Sequence, residues 1–406
     1  MENRKLQIPV GMQDTLPGEC HAKRELESRL RRLFALSGFT EIETPVLEYY
    51  EVLDDATYGY RPEHVWKTFD REGRVLALRP DSTIPSVRMA AGRLQGAALP
   101  LRLCYIQNVT KYESDTLSML CEQTQAGVEL MGESSHQADA EVLALAIETL
   151  KAAGLEDFQL ELGQAGFFQG FMQEAGLTED QCREMRGLMA RKDTLGMQLY
   201  LRKLNVNDGV AQRLMRLPRL YGDSSVLDEA AALTNHALCR QSLHSLRKVI
   251  EMLRAYGYEQ YVTIDLGMVH EANYYSGLIF QGQTRSLGQP ILSGGRYDGL
   301  PARFGREMPA VGFAVSLKLL LIALEHQGNS FRAPVPQLML GFDQSCLKEA
   351  VAYAREQRAR GVTVSMQYDA APGELQGRIR LGQCGAAAYV SREGVQLITG
   401  EGGAQA

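Results

Sequence analysis

The sequence has few of the features that mark several large classes of protein. It contains seven cysteines, Cys20, Cys104, Cys121, Cys182, Cys239, Cys346 and Cys384, and no CxxC pair. Their odd number and wide scatter speak against a disulfide framework and against structural zinc. Free thiols in a chain of this size fit a reducing compartment. No apolar run is long enough to form a membrane-spanning helix. The opening MENRKLQIPVGMQDTLPGE lacks the apolar core of a secretory signal, so a cytoplasmic protein is expected. Basic residues are not in excess either. Lys and Arg number 43 against 49 Asp and Glu, for a net charge of -6, and no basic stripe offers itself to a nucleic-acid backbone. There is no GxxxxGK[ST] phosphate loop. Asp54-Asp55 in EVLDDATYG is not followed by a glycine-threonine phosphate cradle, which argues against direct phosphoribosyl transfer by this chain. No Ser/His/Asp or Cys/His motif stands out, and no cofactor or metal is indicated.

The chain does contain ample material for a core. Its 406 residues are 45% hydrophobic and 23% charged, enough for a large globular interior and more than one domain. Leu26, Leu30, Leu33 and Phe34 recur at helical spacing over residues 19 to 37, with Gly38 as the stop. A hairpin is expected between Phe69 and Leu78, turning at REGR. A helix follows Pro80, with Asp81 or Ser82 near its start. LCYIQNVTKYE and QTQAGVELMG read as paired strands joined by the loop SDTLSMLC. Alternation puts Gln125, Gly127 and Glu129 on one face of the second strand and Thr124, Ala126, Val128 and Leu130 on the other. Polar side chains beside a glycine suit a lined pocket, and a solvated sheet face is an equal alternative.

DAEVLALAIETLKAA is a clear helix stopped by Gly154. From about 170 to 257 the pattern looks wholly helical, with NVNDG as a break, which suggests a helical insertion because strands resume at YVTIDLG. NYYSGLIFQGQ is expected as a strand, SGGRYDGL as a glycine-rich turn, and AVGFAVSLKLLLIALE as a strand running into an apolar helix. Beyond the linker NSFRAPVP, residues 333 to 400 alternate strand, helix, strand, helix, strand and close with a hairpin, a small α/β domain.

Segments along the chain, in the right order, resemble the signatures of histidyl-tRNA synthetases. PVGMQDTLP with GFTEIETPVLE resembles the first motif. LRPDST, CYIQNVTKYE and QTQAGVELMG resemble the second motif and its flanks. NYYSGLIF resembles the histidine-specific strand, and GGRYDGL with PAVGFAVSL the third motif. The likeness spans roughly residues 8 to 325. It implies an α+β fold: a class II aminoacyl-tRNA synthetase-like antiparallel sheet of six or seven strands with flanking helices over residues 1 to 325, usually paired into a homodimer through the first motif. The C-terminal α/β domain resembles a shortened anticodon-binding domain. The resemblance also implies a histidine pocket made of Asp81, Thr83, Gln125, Glu129, Tyr274 and Tyr275. The residue types suit the ligand. Asp81, Thr83 and Gln125 can accept from an α-ammonium, and Glu129 can meet a ring nitrogen while a tyrosine supplies an aromatic wall. On alternation only one of the two tyrosines faces the pocket, and Tyr275 is the expected one. Gly294 and Gly295 would let a bound ligand approach the backbone.

The same resemblance exposes three departures. Histidyl-tRNA synthetases hold the adenylate phosphate with arginines, whose planar fork suits the developing charge. At those positions this sequence has Lys111, His270 and Leu319. His270 is expected to fill space, and Lys111 is the better carboxylate anchor. The loop SDTLSMLC holds no basic residue, so tRNA is not expected as a partner. The remaining histidines, including His64, His236, His244 and His326, are expected to pack or lie on the surface. A kept amino-acid pocket without the ATP and tRNA machinery resembles the regulatory subunits of ATP phosphoribosyltransferase. That resemblance implies a non-catalytic chain in a hetero-oligomer with a short-form catalytic subunit at the first step of histidine biosynthesis, and L-histidine as effector. A divergent adenylating enzyme and a ligand-free scaffold are the alternatives.

Overall fold

A computed structural model describes residues 6–53, 62–111, 121–269 and 274–399. Asp54-Asp55, His270 and most of the SDTLSMLC loop lie outside the described residues. Helix α1 (Pro17–Leu36) starts on a proline, which has no N–H to leave unsatisfied there, and buries Leu26, Leu30 and Phe34 one turn apart. Strand β1 (Thr40–Glu41) follows. Then β2 (Leu47–Tyr49), the short α2 (Tyr50–Leu53), β3 (Lys67–Phe69) and β4 (Val75–Leu78) contribute a small sheet in the order β2-β4-β3. The turn between β3 and β4 is held by Asp70, whose carboxylate accepts from the backbone N–H groups of Glu72 and Arg74. Helix α3 (Thr83–Gly92) is preceded by Ser82, which makes no side-chain cap. Asp81 does that work instead, accepting from the Ile84 N–H at 3.1 Å.

Strands β5 (Leu101–Thr110) and β6 (Glu122–Met131) pair antiparallel along their whole length, from Leu101 opposite Met131 to Thr110 opposite Glu122. Helix α4 (His136–Ala153) is capped by Ser135 and ends at Gly154, whose φ of 92° is the left-handed stop that glycine makes readily. After β7 (Gln159–Gln164) come α5 (Ala165–Glu174), α6 (Glu179–Ala190), α7 (Thr194–Lys203), α8 (Asp208–Leu214), the two-residue strand β8 (Tyr221–Gly222), α9 (Val226–Leu233) and α10 (Ala237–Ala255). The segment is therefore not wholly helical. Pro218 interrupts the helical pattern, and the freed backbone reaches an edge of the large sheet. Helix α10 buries Cys239, Leu243, Leu246, Ile250 and Leu253 along one stripe. The chain then returns as β9 (Val262–Asp265), β10 (Leu278–Gln283), β11 (Leu292–Arg296), β12 (Ala310–Ser316) and α11 (Leu317–His326).

Among the described residues the large sheet has nine strands in the order β1-β5-β6-β12-β11-β10-β7-β9-β8. From β5 to β7 every neighbouring pair is antiparallel. This stretch is the antiparallel centre that the resemblance implies. The outer strands were not foreseen. β1 and β9 join in parallel, and β8 pairs with β9. Two expectations are corrected along the centre. NYYSGLIF is a strand only from Leu278, and Tyr274 and Tyr275 precede it. The Ser276 N–H donates to the Arg296 carbonyl, and the Gly277 carbonyl is taken by the Ala165 N–H, so alternation along β10 does not reach the tyrosines. SGGRYDGL begins as strand β11, with the turn only after Arg296. The buried Arg296 fixes that end through Asp139 at 2.8 Å and Asp298 at 3.0 Å.

The described structure divides into two compact units: Met1–Thr15 with Ala22–Ser330, and Leu16–His21 with Phe331–Ala406. The second contains β13 (Leu338–Phe342), α12 (Leu347–Ala359), β14 (Val364–Gln367), α13 (Pro372–Arg380), β15 (Ala386–Ser391) and β16 (Gly394–Ile398), with sheet order β14-β13-β15-β16. Leu338, Leu340 and Phe342 meet Ala350 and Ala354 of α12, while Met339 and Ala387 meet Leu375 of α13. Each helix thus covers one set of alternating strand residues.

Candidate functional site

A cavity of about 920 Å³ lies over the centre of the large sheet. Its floor comes from Gln123, Gln125 and Glu129 of β6, Gly312, Ala314 and Ser316 of β12, Ser293 and Gly294 of β11, and Gln281 and Gln283 of β10. Beyond β10 it continues past Glu161 of β7 and Asp265 of β9 to Met189, Ala190 and Lys192 at the end of α6. Asp81, Thr83, Lys111, Gln125, Glu129, Tyr274 and Tyr275, the residues nominated from the sequence, all line it. Both tyrosines reach the cavity, not Tyr275 alone. Their rings lie 4.7 Å apart and rest on the buried cluster of Ile84, Val87 and Leu103.

The most enclosed charged group among the described residues is Glu129, 1% exposed. Its carboxylate accepts from the hydroxyl of Tyr105 at 3.2 Å, from the hydroxyl of Tyr297, and from that of Thr83. Burial pushes its pKa up to about 7, and these hydrogen bonds oppose the rise without cancelling it. Asp81 is pushed up to about 6, again by burial, against the N–H groups of Ile84 and Thr83 and the charge of Lys111. Gln125 is fixed by accepting from the Ser82 N–H at 3.1 Å. The α3 N-terminus and β6 are therefore tied together at the site.

Glycines make this arrangement possible. A Cβ on Gly312 would fall 1.9 Å from Glu129 Oε2, and one on Gly127 would fall 2.6 Å from the Tyr105 hydroxyl. Gly294 lines the cavity floor. A Cβ at Gly295 would strike the Tyr275 ring at 2.7 Å, and one at Gly294 the Gly312 carbonyl at 2.4 Å, so both glycines also admit neighbouring protein atoms. Sequence reading missed Tyr105 and Tyr297. Tyr105 sits opposite Gly127 in the β5–β6 register, and a tyrosine facing a glycine was the available signal. Tyr297 was hidden inside a segment read only as a turn. Lys192, Asp265 and Glu161 come from elements with no motif and could be found only in three dimensions.

Lys111 and Leu319, where the resemblance implies arginines in the synthetases, both line the cavity. Lys318 lines it as well, so positive charge is not wholly lost beside Leu319. No arginine is among the described residues of the lining. Nor do the described residues contain a group of three or more His, Cys, Asp or Glu able to hold a metal ion.

Comparison with known proteins places this geometry. Residues 11–320 match the histidyl-tRNA synthetase family. An ATP phosphoribosyltransferase regulatory subunit of Acetivibrio thermocellus is 41% identical over 366 residues, covering 90% of this chain and 88% of the relative. The chain belongs to the ATP phosphoribosyltransferase regulatory subunits, within the histidyl-tRNA synthetase family. A crystal structure described as an ATP phosphoribosyltransferase regulatory subunit/histidyl-tRNA synthetase, from Bacillus halodurans, superposes with a TM-score of 0.84 at 33% identity, covering 95% of this chain and 98% of that one. The histidyl-tRNA synthetase of Nostoc shares the fold, with a TM-score of 0.79 at 22% identity and coverage of 96% and 92%. The cavity of this family member is lined by polar groups and, among its described residues, by lysines and no arginine.

Proposed function

We propose that this chain is a non-catalytic regulatory subunit that is required by a short-form ATP phosphoribosyltransferase catalytic subunit and that carries feedback inhibition by L-histidine. The observation that carries the reading is the set Asp81, Thr83, Gln125 and the buried Glu129 in a cavity whose described lining contains no arginine. Asp81, Thr83 and Gln125 suit the ligand's ammonium, Glu129 its ring, the tyrosines its faces, and Lys111 its carboxylate. Adenylate formation needs fixed positive charge on the phosphate in flight. Replacing a bidentate arginine by leucine removes such a clamp, a loss on the order of a hundredfold or more in rate. Histidine would act by linkage, binding one state of the assembly better than another.

Self-association is part of this proposal. Val46 and Leu47, within the segment that resembles the first synthetase motif, are 54% and 41% exposed, and nearby Leu36 is 77% exposed. Exposed apolar side chains suit a protein interface, here with a second copy. No helix of the described residues is long and apolar enough to cross a membrane, and a cytoplasmic location is proposed with the biosynthetic role.

The test is calorimetric titration of the chain with L-histidine, with and without ATP. Saturable binding that ATP does not change is expected. ATP-coupled binding accompanied by pyrophosphate exchange would make the chain a divergent synthetase. An absence of histidine binding would remove the sensor role from this pocket.

A further inference from the structure

We propose that the exposed face of α7, where Leu195 and Leu199 stand between two pairs of cations, is a docking surface for the catalytic subunit, and that it fits an apolar groove rimmed by carboxylates. The inference rests on the reading that this chain serves such a subunit, and adds the surface and its chemistry.

The sequence carries a local excess of one sign. Residues 183 to 219 hold nine Lys or Arg against three Asp or Glu, in a chain whose net charge is -6. The structure sorts these cations. Arg183 pairs with Asp180 at 3.2 Å, Arg213 with Glu174 and Arg216 with Glu229. Arg186 lies over the Phe168 ring. Arg191 and Lys192, at the corner between α6 and α7, and Arg202 and Lys203, at the end of α7, are exposed and make no ion pair among the described residues.

Helix α7 has two faces. Met197 and Leu201 are buried. Leu195 and Leu199, each two positions away and so on the opposite side, are 66% and 56% exposed. Asp193 caps the helix by accepting from the Gly196 N–H at 2.8 Å, which holds the first turn and its leucine in place. The two leucines lie one turn apart, with a cationic pair before and after them along the chain.

This arrangement selects among occupants. A second copy would meet the face across a two-fold axis. Whether the two helices ran parallel or antiparallel, cations would then face cations. A nucleic-acid backbone would satisfy the cations and leave both leucines against phosphates and water. A groove on a protein, apolar at its floor and acidic at its rim, satisfies both sets of side chains, with Leu195 and Leu199 as anchors at helical spacing. The place suits a regulated partner as well. Met189, Ala190 and Lys192 line the cavity over the sheet, and Leu195 follows three residues later. A partner docked on α7 rests on the corner that walls this cavity, so a ligand and a partner can bias the same element.

The experiment measures binding of the full chain to a short-form catalytic subunit from the same genome, at low and at high salt. Leu195→Ser combined with Leu199→Ser should weaken the complex about tenfold or more. Arg202→Glu combined with Lys203→Glu should weaken it to a similar degree at low salt and flatten its salt dependence. Both variants should unfold at the wild-type temperature and keep the wild-type oligomeric state, because all four side chains are exposed. Undiminished binding by both variants would overturn this surface and leave the regulatory reading intact. Loss of self-association in the leucine variant would assign the face to a second copy. Intact protein binding with lost affinity for a tRNA transcript would assign it to nucleic acid. Either result would overturn the proposal. A wild-type chain that fails to bind the catalytic subunit would overturn both this surface and the regulatory reading.

Discussion

Glu129 is a buried acid, and the free protein bears the cost of that burial. Glu129 and Asp81 titrate higher in the folded chain than exposed carboxyls do, at about 7 and about 6. The folded state therefore binds more protons than the unfolded state between the ordinary carboxyl range and these values. Stability of the ligand-free chain should fall as pH rises through that window, with Glu129 alone accounting for roughly 3 kcal/mol once ionised. Urea midpoints of wild type and Glu129→Gln at pH 5 and pH 8 check this. The decline should be smaller in the variant, and equal declines would refute it. Gly312 makes a second residue-scale prediction. Its Cβ would meet Glu129 Oε2 at 1.9 Å and the Val128 carbonyl at 2.5 Å. Gly312→Ala should lower stability by about 1–3 kcal/mol and weaken histidine binding as Glu129 is displaced, measured by unfolding and calorimetry on the same preparation.

Among the elements, β6 was the most legible in the sequence. Its alternation placed Gln125, Gly127 and Glu129 on one face, and Ala126, Val128 and Leu130 are buried on the other. The helices α1 and α4 were legible for the same reason, a period matched by a stop glycine. What escaped reading was set by contacts between distant segments. Tyr274 and Tyr275 look like strand residues, but the backbone bonds of Ser276 and Gly277 start β10 after them. β8 is too short to leave a period, and β11 looked like a turn because Gly294 and Gly295 are strand residues only where neighbouring strands crowd them. Arg296 closes β11 onto the start of α4, with its side chain 7% exposed and that of Asp139 10%. Arg296→Met would leave the Asp139 carboxylate buried without its partner, a loss of about 3–5 kcal/mol. A urea midpoint unchanged by that substitution would show that Asp139 is satisfied by other groups.

At the scale of the whole molecule, the chain keeps the sheet of its synthetase family, and the described lining of its cavity has lysines and no arginine. Such a lining supports the proposed sensing of an amino acid over its activation. Function at this scale belongs to an assembly, and the exposed apolar residues at Leu36, Val46 and Leu47 predict that the chain is dimeric before any partner is added, as sedimentation would show. The sequence could identify the family but could not assign the surface that meets a catalytic chain, because no periodicity or motif encodes a partner's shape. The most direct measurement is reconstitution. A short-form ATP phosphoribosyltransferase catalytic subunit from the same genome is assayed alone, with this chain, and with this chain plus L-histidine. The account predicts little activity alone, strong activation by the chain, and inhibition by histidine that disappears with Glu129→Ala. A catalytic subunit equally active with and without the chain would contradict it.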